Sequence, residues 1–293
     1  MYAIMNKHLI QAWLLLLGCF SVTAMADDCE SSAEGCVEIG KWQVAVAVGV
    51  GVRTNPVIDN DDIPLYVIPQ ISYNGERVFL QNLDLGYILF EDDTRQFNLL
   101  LTPSYDQVFF RRWDVNNFVL SENLLSDPGP TFGPSTDAYH KLIDTDQLRK
   151  RRMGGLAGFE YNHQFNKVDL QLHALQEFTG YHDGQEVRIA LARHFLAGKH
   201  HWILSAGAIW QSEAVLDYYY GIREGEGGTL GYRYNPGSGV SGVARLDWNY
   251  RINERWSLNF TTAYRRLASG IRRSPVVNDD KVITSFIGGA YHF

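Results

Sequence analysis

The 293-residue chain has no apolar run long enough to cross a membrane as a helix once its first residues are set aside. A spanning helix needs about 20 apolar residues, and the longest apolar stretch, Leu9 to Phe20, is shorter than that. Mean hydropathy is slightly negative, at −0.19. The sequence therefore argues against a helical membrane protein.

Positive charge and catalytic motifs are also scarce. Lys and Arg number 26 against 33 Asp and Glu, which gives a formal net charge of −7. A nucleic-acid-binding protein carries a basic stripe, so this balance argues against a nucleic-acid partner. The chain contains no nucleophile elbow, zinc-binding helix or phosphate-binding loop. We therefore expect no enzymatic activity, no cofactor and no metal site.

Cysteine is nearly absent, with three in the whole chain. Cys19 lies in the apolar stretch near the start, which leaves Cys29 and Cys36 in a polar segment after it. An even count in an exported protein favours a disulfide, and two free thiols are the alternative. A loop this short would add little stability by the loop-entropy argument.

The first residues have the three parts of a secretory signal peptide. Lys7 gives a positive start, Leu9 to Phe20 an apolar core, and Ala24-Met25-Ala26 a small-residue cleavage site. Leu16-Leu17-Gly18-Cys19 weakly resembles a lipoprotein signal, which is the alternative. We expect cleavage after Ala26, so residues 1–26 are the signal peptide and the mature chain is exported.

Aromatic residues are plentiful, with 16 Tyr, 15 Phe and 7 Trp, and apolar residues recur at every second position. Trp42 to Val52 alternates apolar side chains with small or polar ones, and so does Ala244 to Ile252. Alternation with abundant aromatics is typical of transmembrane β-barrels, whose strands face lipid on one side and the lumen on the other. The final strand ends on Tyr291 and Phe293, the aromatic pattern of a barrel-assembly signal. We predict an all-β antiparallel barrel in the outer membrane of a Gram-negative bacterium.

The strand count is less direct. Eleven alternating segments can be read, near 41–53, 64–73, 77–91, 97–105, 153–165, 167–178, 185–196, 200–212, 240–252, 256–267 and 281–293. Bacterial single-chain barrels have an even number of strands. The long segment 77–91 can break near Asn82 to Asp84, so we predict twelve strands, with ten as the alternative. In this reading residues 27–40 form a periplasmic segment and residues 41–293 the barrel.

Charged residues occupy the inward positions of several predicted strands. They favour either a wet lumen that passes small polar solutes or ion pairs that fill a narrow one. Interior room grows with strand number, and at ten to twelve strands a filled lumen is the expected case. The candidate lumen charges are Glu160, Asp169, Arg188, Arg245, Asp247, Arg251 and Arg265.

A glycine-containing loop follows the strand that ends near Trp210, and it holds Tyr218-Tyr219-Tyr220. These tyrosines have two interpretations. One is an aromatic girdle at the outer membrane interface, which we favour for at least one of them. The other is a loop folded into the barrel mouth.

An ordered set of short motifs resembles the MltA-interacting protein (MipA)/OmpV family of outer-membrane proteins, and the resemblance covers essentially the whole mature chain. One departure is the stretch 144–152, which ends in Arg149-Lys150-Arg151-Arg152. The matching motifs are Val48-Gly49-Val50-Gly51-Val52, Ile68-Pro69-Gln70-Ile71-Ser72-Tyr73, Asp217-Tyr218-Tyr219-Tyr220-Gly221-Ile222, Tyr234-Asn235-Pro236, Ser274-Pro275-Val276-Val277 and Tyr291-His292-Phe293.

The resemblance implies a non-enzymatic scaffold that links a murein lytic transglycosylase to a peptidoglycan synthase. It also implies two alternatives, a porin-like channel for small polar solutes and a surface adhesin. The expected partners are outer-membrane lipid and those periplasmic cell-wall enzymes. The resemblance draws attention to the loops that carry Tyr219, Tyr220, Gly221, Ser274 and Pro275.

Overall fold

The computed structural model describes residues 39–110, 148–226 and 233–293. Twelve antiparallel strands form one closed barrel in which each strand pairs with its sequence neighbours and β1 pairs with β12. The predicted fold class and the strand number of twelve are confirmed. The proposed signal peptide and the two cysteines, Cys29 and Cys36, lie outside the described residues, and so does the polar segment that precedes Ile39.

The strands have nearly the predicted bounds, and helices are few. After β5 a 3₁₀ helix runs from Tyr105 to Phe110. Helix α1 spans Glu213–Tyr220 and the short α2 spans Ser269–Arg272. The strands are β1 Lys41–Arg53, β2 Ile63–Asn74, β3 Val78–Gln81, β4 Asp84–Glu91, β5 Arg95–Pro103, β6 Gly155–Phe165, β7 Val168–Glu177, β8 Gln185–Ala197, β9 His200–Gln211, β10 Gly239–Arg251, β11 Trp256–Arg266 and β12 Lys281–His292.

The break predicted in 77–91 separates β3 from β4. Asn82 adopts a φ of 54°, a left-handed conformation that turns the chain between them. Its backbone N–H donates to Ile71 O at 2.7 Å, and its side chain accepts from Ile71 N at 3.0 Å. Asn82 thus ends the short β3 and ties this hairpin to β2.

Closure depends on backbones that approach closely. Gly49 and Gly51 of β1 face Gly288 and Phe286 of β12 in register. A Cβ atom built on Gly49 would collide with the carbonyl oxygen of Ile287. Glycine at this position therefore lets the first and last strands hydrogen-bond and remove the sheet edges.

The connections divide the barrel into two ends. Connections of two to four residues join β2 to β3, β4 to β5, β6 to β7, β8 to β9 and β10 to β11 at what we call the short-turn end. Apart from the two-residue turn between β3 and β4, the connections directed toward the opposite, long-loop end are longer, and they include both helices. Aromatic pairs ring the outer wall near the short-turn end, among them Trp42–Tyr73, Trp202–Trp248 and Trp256–Tyr291. Within the described ranges no helix has the length and apolar character to span a bilayer.

Gly158 of β6 has no space for a side chain, because β7 lies too close to it. Its Cβ would collide with the backbone carbonyl oxygen of Ala174 on β7, whereas a Cβ on Gly242 of β10 would meet nothing within 4 Å. We expect Gly158→Ala to lower the temperature at which the barrel loses its heat-modifiable, compact gel migration, because backbone must shift to admit the methyl group. Gly242→Ala is the matched control. Equal migration of both variants across a temperature series would contradict this account.

Candidate functional site in the barrel lumen

The inward positions of neighbouring strands form a continuous polar wall at the middle of the barrel. Asn98 of β5, Glu160 of β6, His173 of β7 and Arg188 of β8 follow one another across the register and are all buried. Period-two alternation places each of them opposite to a lipid-facing neighbour. The wall is therefore made by residues far apart in sequence that the sheet register brings together.

Glu160 lies at the centre of this wall and is fully hydrogen-bonded. It accepts from Asn98 Nδ2 at 2.8 Å, from Gln171 Nε2 at 2.8 Å and from His173 Nε2 at 3.1 Å. A buried carboxylate is costly unless it is hydrogen-bonded or paired. This network satisfies Glu160 and holds β5, β6 and β7 together from the inside.

A second network crosses the lumen near the long-loop end. Asp106 of the 3₁₀ helix accepts from Arg265 Nη1 of β11 at 2.8 Å and from Gln211 Nε2 of β9 at 2.7 Å. Beside it, Arg188 donates to Glu186 Oε2 through Nε at 3.2 Å and Nη2 at 2.9 Å. The cavity between these groups has room for about one water molecule. These bonds place charged side chains in the space that a solute would cross.

The other candidate lumen charges lie on the inward faces of their strands. Arg245 Nε donates to Asp247 Oδ2 at 2.7 Å, and Thr261 Oγ1 donates to Asp247 Oδ1 at 2.7 Å. Asp169 is 3.1 Å from His194 Nε2 and is partly exposed. Arg251, the last residue of β10, is exposed at the short-turn end. The lumen is thus crowded near the long loops and more open to solvent at the short turns.

The three tyrosines of α1 lie inside the mouth of the barrel. Tyr219 and Tyr220 are each 0% exposed and Tyr218 is 8% exposed. The favoured interpretation of a lipid-facing girdle is therefore wrong, because these rings pack against apolar side chains from four connections. We call this body the plug; its buried residues are Val57, Phe109, Val215, Leu216, Tyr218, Tyr219, Tyr220, Ile222, Leu267, Ala268, Ile271, Val276, Val277 and Val282.

The loop motifs that carry the family resemblance meet in the plug. Ser274 Oγ donates to the carbonyl oxygen of Tyr220 at 2.6 Å, and Pro275 follows it. Tyr219 Oη donates to Arg152 O at 3.1 Å and accepts from Gly154 N at 3.4 Å. Burial raises the pKa of the Tyr219 hydroxyl well above its usual value. Tyr219 therefore stays neutral at any physiological pH and acts as a structural tie.

Sequence reasoning missed a buried ion pair that fastens two loops together. Arg151 precedes β6, Glu226 follows α1, and both side chains are 2% exposed. Arg151 donates to the two Glu226 oxygens at 3.1 and 3.2 Å and to Gly221 O at 3.1 Å. The two residues are 75 positions apart, so no local pattern signals the pair. We call it the clamp.

The clamp keeps Glu226 ionised. Burial raises the pKa of its carboxyl, but hydrogen bonds from Arg151 and from the backbone N–H groups of Arg223 and Arg149 outweigh burial and leave the pKa below its ordinary value. A carboxylate with a lowered pKa stabilises the fold above its unfolded-state pKa and loses that contribution as pH falls. The clamp should therefore weaken only in acid.

Histidines elsewhere are used in packing. His182 accepts from Gly184 N through Nδ1 at 3.0 Å, and its ring lies against Tyr218 and Tyr219. His200 and His201 diverge, since His200 accepts from Trp248 Nε1 while His201 hydrogen-bonds His194 in the lumen. Across 39–110, 148–226 and 233–293, no three His, Cys, Asp or Glu side chains converge in a group suited to a metal ion.

Comparisons with known proteins agree over most of the chain. The family model described as MltA-interacting protein MipA matches residues 46–293. The MltA-interacting protein of Escherichia coli (strain K12) is 26% identical over 283 residues, which cover 96% of this chain and 98% of that protein. The putative outer membrane protein YiaT of the same strain is 22% identical over 227 residues, 77% of this chain and 81% of that protein. The outer membrane protein OmpV of Vibrio cholerae is 36% identical over 90 residues, 30% of this chain and 34% of that protein.

The clamp can be tested by a double-mutant cycle. Arg151→Met or Glu226→Gln should each cost about 3 kcal/mol of unfolding free energy, because removing one partner leaves the other charge or polar group buried. The double variant should cost at least about 1 kcal/mol less than the sum. Urea unfolding in lipid vesicles at neutral pH measures each value.

A matched pair serves as the control for this cycle. Arg233 and Glu224 belong to the same loop, lie 3.5 Å apart and are 70% and 84% exposed. An exposed pair contributes little, so its coupling should be near zero. Additive costs at Arg151 and Glu226 would show that the clamp is not one interaction.

Proposed function

We propose, from the premise that this chain belongs to the MltA-interacting protein family, that it anchors a murein lytic transglycosylase at the outer membrane. It is an outer-membrane β-barrel, and in this proposal it neither conducts solutes nor catalyses a reaction. The transglycosylase is suggested by the name of the Escherichia coli relative, which this chain matches over 98% of that protein's length. A link to a peptidoglycan synthase is the further part of the same proposal.

The observation that supports a closed scaffold is the bonding across the lumen. Asp106 enters from the 3₁₀ helix and is held by Arg265 and Gln211 on strands of the far wall. Above it the plug buries apolar side chains, including Tyr219 and Tyr220, in the barrel mouth. A solute would have to break both sets of contacts, so the lumen is better suited to stabilise the barrel than to pass material.

A periplasmic enzyme would dock at the short-turn end, since barrels of this class have short turns in the periplasm. The charges there are unevenly spread. Taken together, the turns after β2 and β4 carry three acidic residues and one basic residue, and the turns after β6, β8 and β10 carry three basic residues and one acidic residue. The exposed members of the basic sector are Lys167, Lys199, Arg251 and Arg255, with Glu254 the acidic exception.

Such a surface favours a partner with complementary sectors and gives salt-sensitive association. The proposed periplasmic segment 27–40 is itself acidic, with Asp27, Asp28, Glu30, Glu34 and Glu38 in its sequence. The short-turn end and this segment are therefore the surfaces we assign to the partner.

The closed lumen predicts silence in a planar bilayer. The folded wild-type protein should give no steady channels. Arg265→Gln combined with Asp106→Asn should give brief openings, because the charged bonds that hold the 3₁₀ helix across the lumen are lost. Single-channel recording measures both.

Arg266→Gln controls for the loss of an arginine at the same height. Arg266 pairs with Asp280 on the surface, where the two side chains are 47% and 41% exposed. Steady wild-type conductance would overturn the closed scaffold and favour a solute pore.

Docking can be tested by charge reversal at one end of the barrel. Lys167→Glu with Arg255→Glu should lower capture of a purified murein lytic transglycosylase at least fivefold, because the basic sector becomes acidic. Arg272→Glu with Arg273→Glu makes the same change at exposed positions of the long-loop end and should leave capture unchanged. Capture that is absent in the wild type, or that falls equally in both variants, would count against docking at the short turns.

A further inference from the structure

Four consecutive basic residues, Arg149 to Arg152, lie at the long-loop end directly before β6. They do not point the same way. The Arg151 side chain is buried in the clamp at 2% exposure, while the Arg149 side chain is 66% exposed. Lys150 and Arg152 are also exposed. Arg151 therefore anchors the segment. Arg149 also reaches Glu226, with its Nε 3.5 Å from Oε1, but most of its side chain is exposed, like those of Lys150 and Arg152.

The backbone of this segment is fixed on the plug. Arg152 N donates to Tyr218 Oη at 2.8 Å, and Arg152 O accepts from Tyr219 Oη at 3.1 Å. Arg149 N donates to Glu226 at 3.3 Å. Because these bonds hold the main chain, the outward cations are presented by a rigid body and little ordering remains for a ligand to impose.

The cations adjoin exposed aromatic rings in the connection between β7 and β8. The guanidinium carbon of Arg152 is 5.7 Å from the centre of the Tyr181 ring. Tyr181 is 37% exposed and Phe178, which follows the end of β7, is 60% exposed. Exposed aromatic rings beside arginine are typical of the boundary between hydrocarbon and headgroups.

Among the residues that the structure describes, three carboxylates near the segment already have partners. Glu226 is buried and bound by Arg151, and Asp217 lies 3.6 Å from Arg223. The carboxylate of Glu177, at the base of the hairpin that holds Tyr181, accepts from the backbone N–H groups of Thr179 and Asp183. Because the single carboxylate of Glu226 is shared by Arg149 and Arg151, the run of four basic residues keeps an excess of positive charge for an external anion.

We propose that Arg149, Lys150 and Arg152 bind the phosphate groups of a glycolipid in the outer leaflet, with its acyl chains against Phe178 and Tyr181. Arginine suits this ligand because its planar guanidinium can donate two parallel hydrogen bonds to a phosphate. The adjoining rings supply the apolar contact that a free phosphate would not use. This surface lies at the end opposite to the one assigned to the periplasmic partner, so it is independent of that proposal.

The test measures how defined lipids bind to the wild-type protein and to two variants that each lack a pair of arginines. The probes are a bisphosphorylated lipid A, the same lipid without phosphates, phosphatidylglycerol and inorganic phosphate, added to the detergent-solubilised full chain. We expect preferential retention of the bisphosphorylated lipid by native mass spectrometry. Arg149→Gln with Arg152→Gln should lower its affinity at least tenfold and remove the preference over the dephosphorylated lipid.

Arg272→Gln with Arg273→Gln is the control, since both residues are exposed at the same end of the barrel. It should change the affinity less than twofold. An equal loss of affinity in the two variants would show that only the overall charge of this end matters, and it would overturn the site. Equal wild-type affinity for the dephosphorylated lipid or for phosphatidylglycerol would overturn it as well, and equal affinity for inorganic phosphate would replace the glycolipid by a free anion.

Folding is checked by heat-modifiable migration. If the double variant does not fold, Arg152→Gln alone retains the backbone bonds to Tyr218 and Tyr219 and should weaken binding about threefold. Unchanged binding by a folded Arg152→Gln would also contradict the proposal.

Discussion

The constraint on which the rest depends is that backbone polar groups have no water to bond within a bilayer. Strands can cross only if every edge is paired. Here the last edges are joined by β1 and β12, whose close approach requires Gly49 and Gly51 opposite β12. Closure fixes the register, and the register decides which side chains share the lumen. Asn98, Glu160 and His173 are neighbours because β5, β6 and β7 pair in that register.

Closing twelve strands creates a second requirement. A barrel of about eight strands is filled by its own side chains, whereas 16 to 18 strands leave a channel. A twelve-stranded barrel lies between these cases and needs additional filling at one end. Here the connections supply it, because the 3₁₀ helix brings Asp106 to Arg265 and α1 brings Tyr219 into the mouth. The polar network and the plug thus follow from strand number as much as from local sequence.

The difference between local sequence patterns and contacts that the closed barrel creates explains what the sequence could predict. Alternation is local, so the bounds of β1 and the break at Asn82 could be read directly. The burial of Tyr219 could not, because a lipid interface and a protein interior favour the same aromatic residues. The clamp was inaccessible for a different reason, since Arg151 and Glu226 are 75 residues apart. Their loops meet only because the closed barrel brings them together, and a single sequence carries no signal of contacts between residues so far apart. The lumen charges could be predicted only in part. Alternation placed Arg265 inward, but its partner Asp106 lies beyond a strand end, where alternation gives no information.

The two ends of the barrel therefore differ in what they can do. At the long-loop end, bonds such as Ser274 to Tyr220 and Arg151 to Glu226 join separate connections into one body. A partner there meets a preformed surface, which favours ligands that match fixed charges. At the short-turn end, by contrast, charged residues such as Lys167 and Arg255 stand in solvent on turns held mainly by their flanking strands. Side chains of that kind can adapt to a folded partner at modest cost and with strong dependence on salt. A barrel whose lumen is used for its own stability would thus retain two independent surfaces, a rigid one toward the outer leaflet and an adaptable one toward the periplasm.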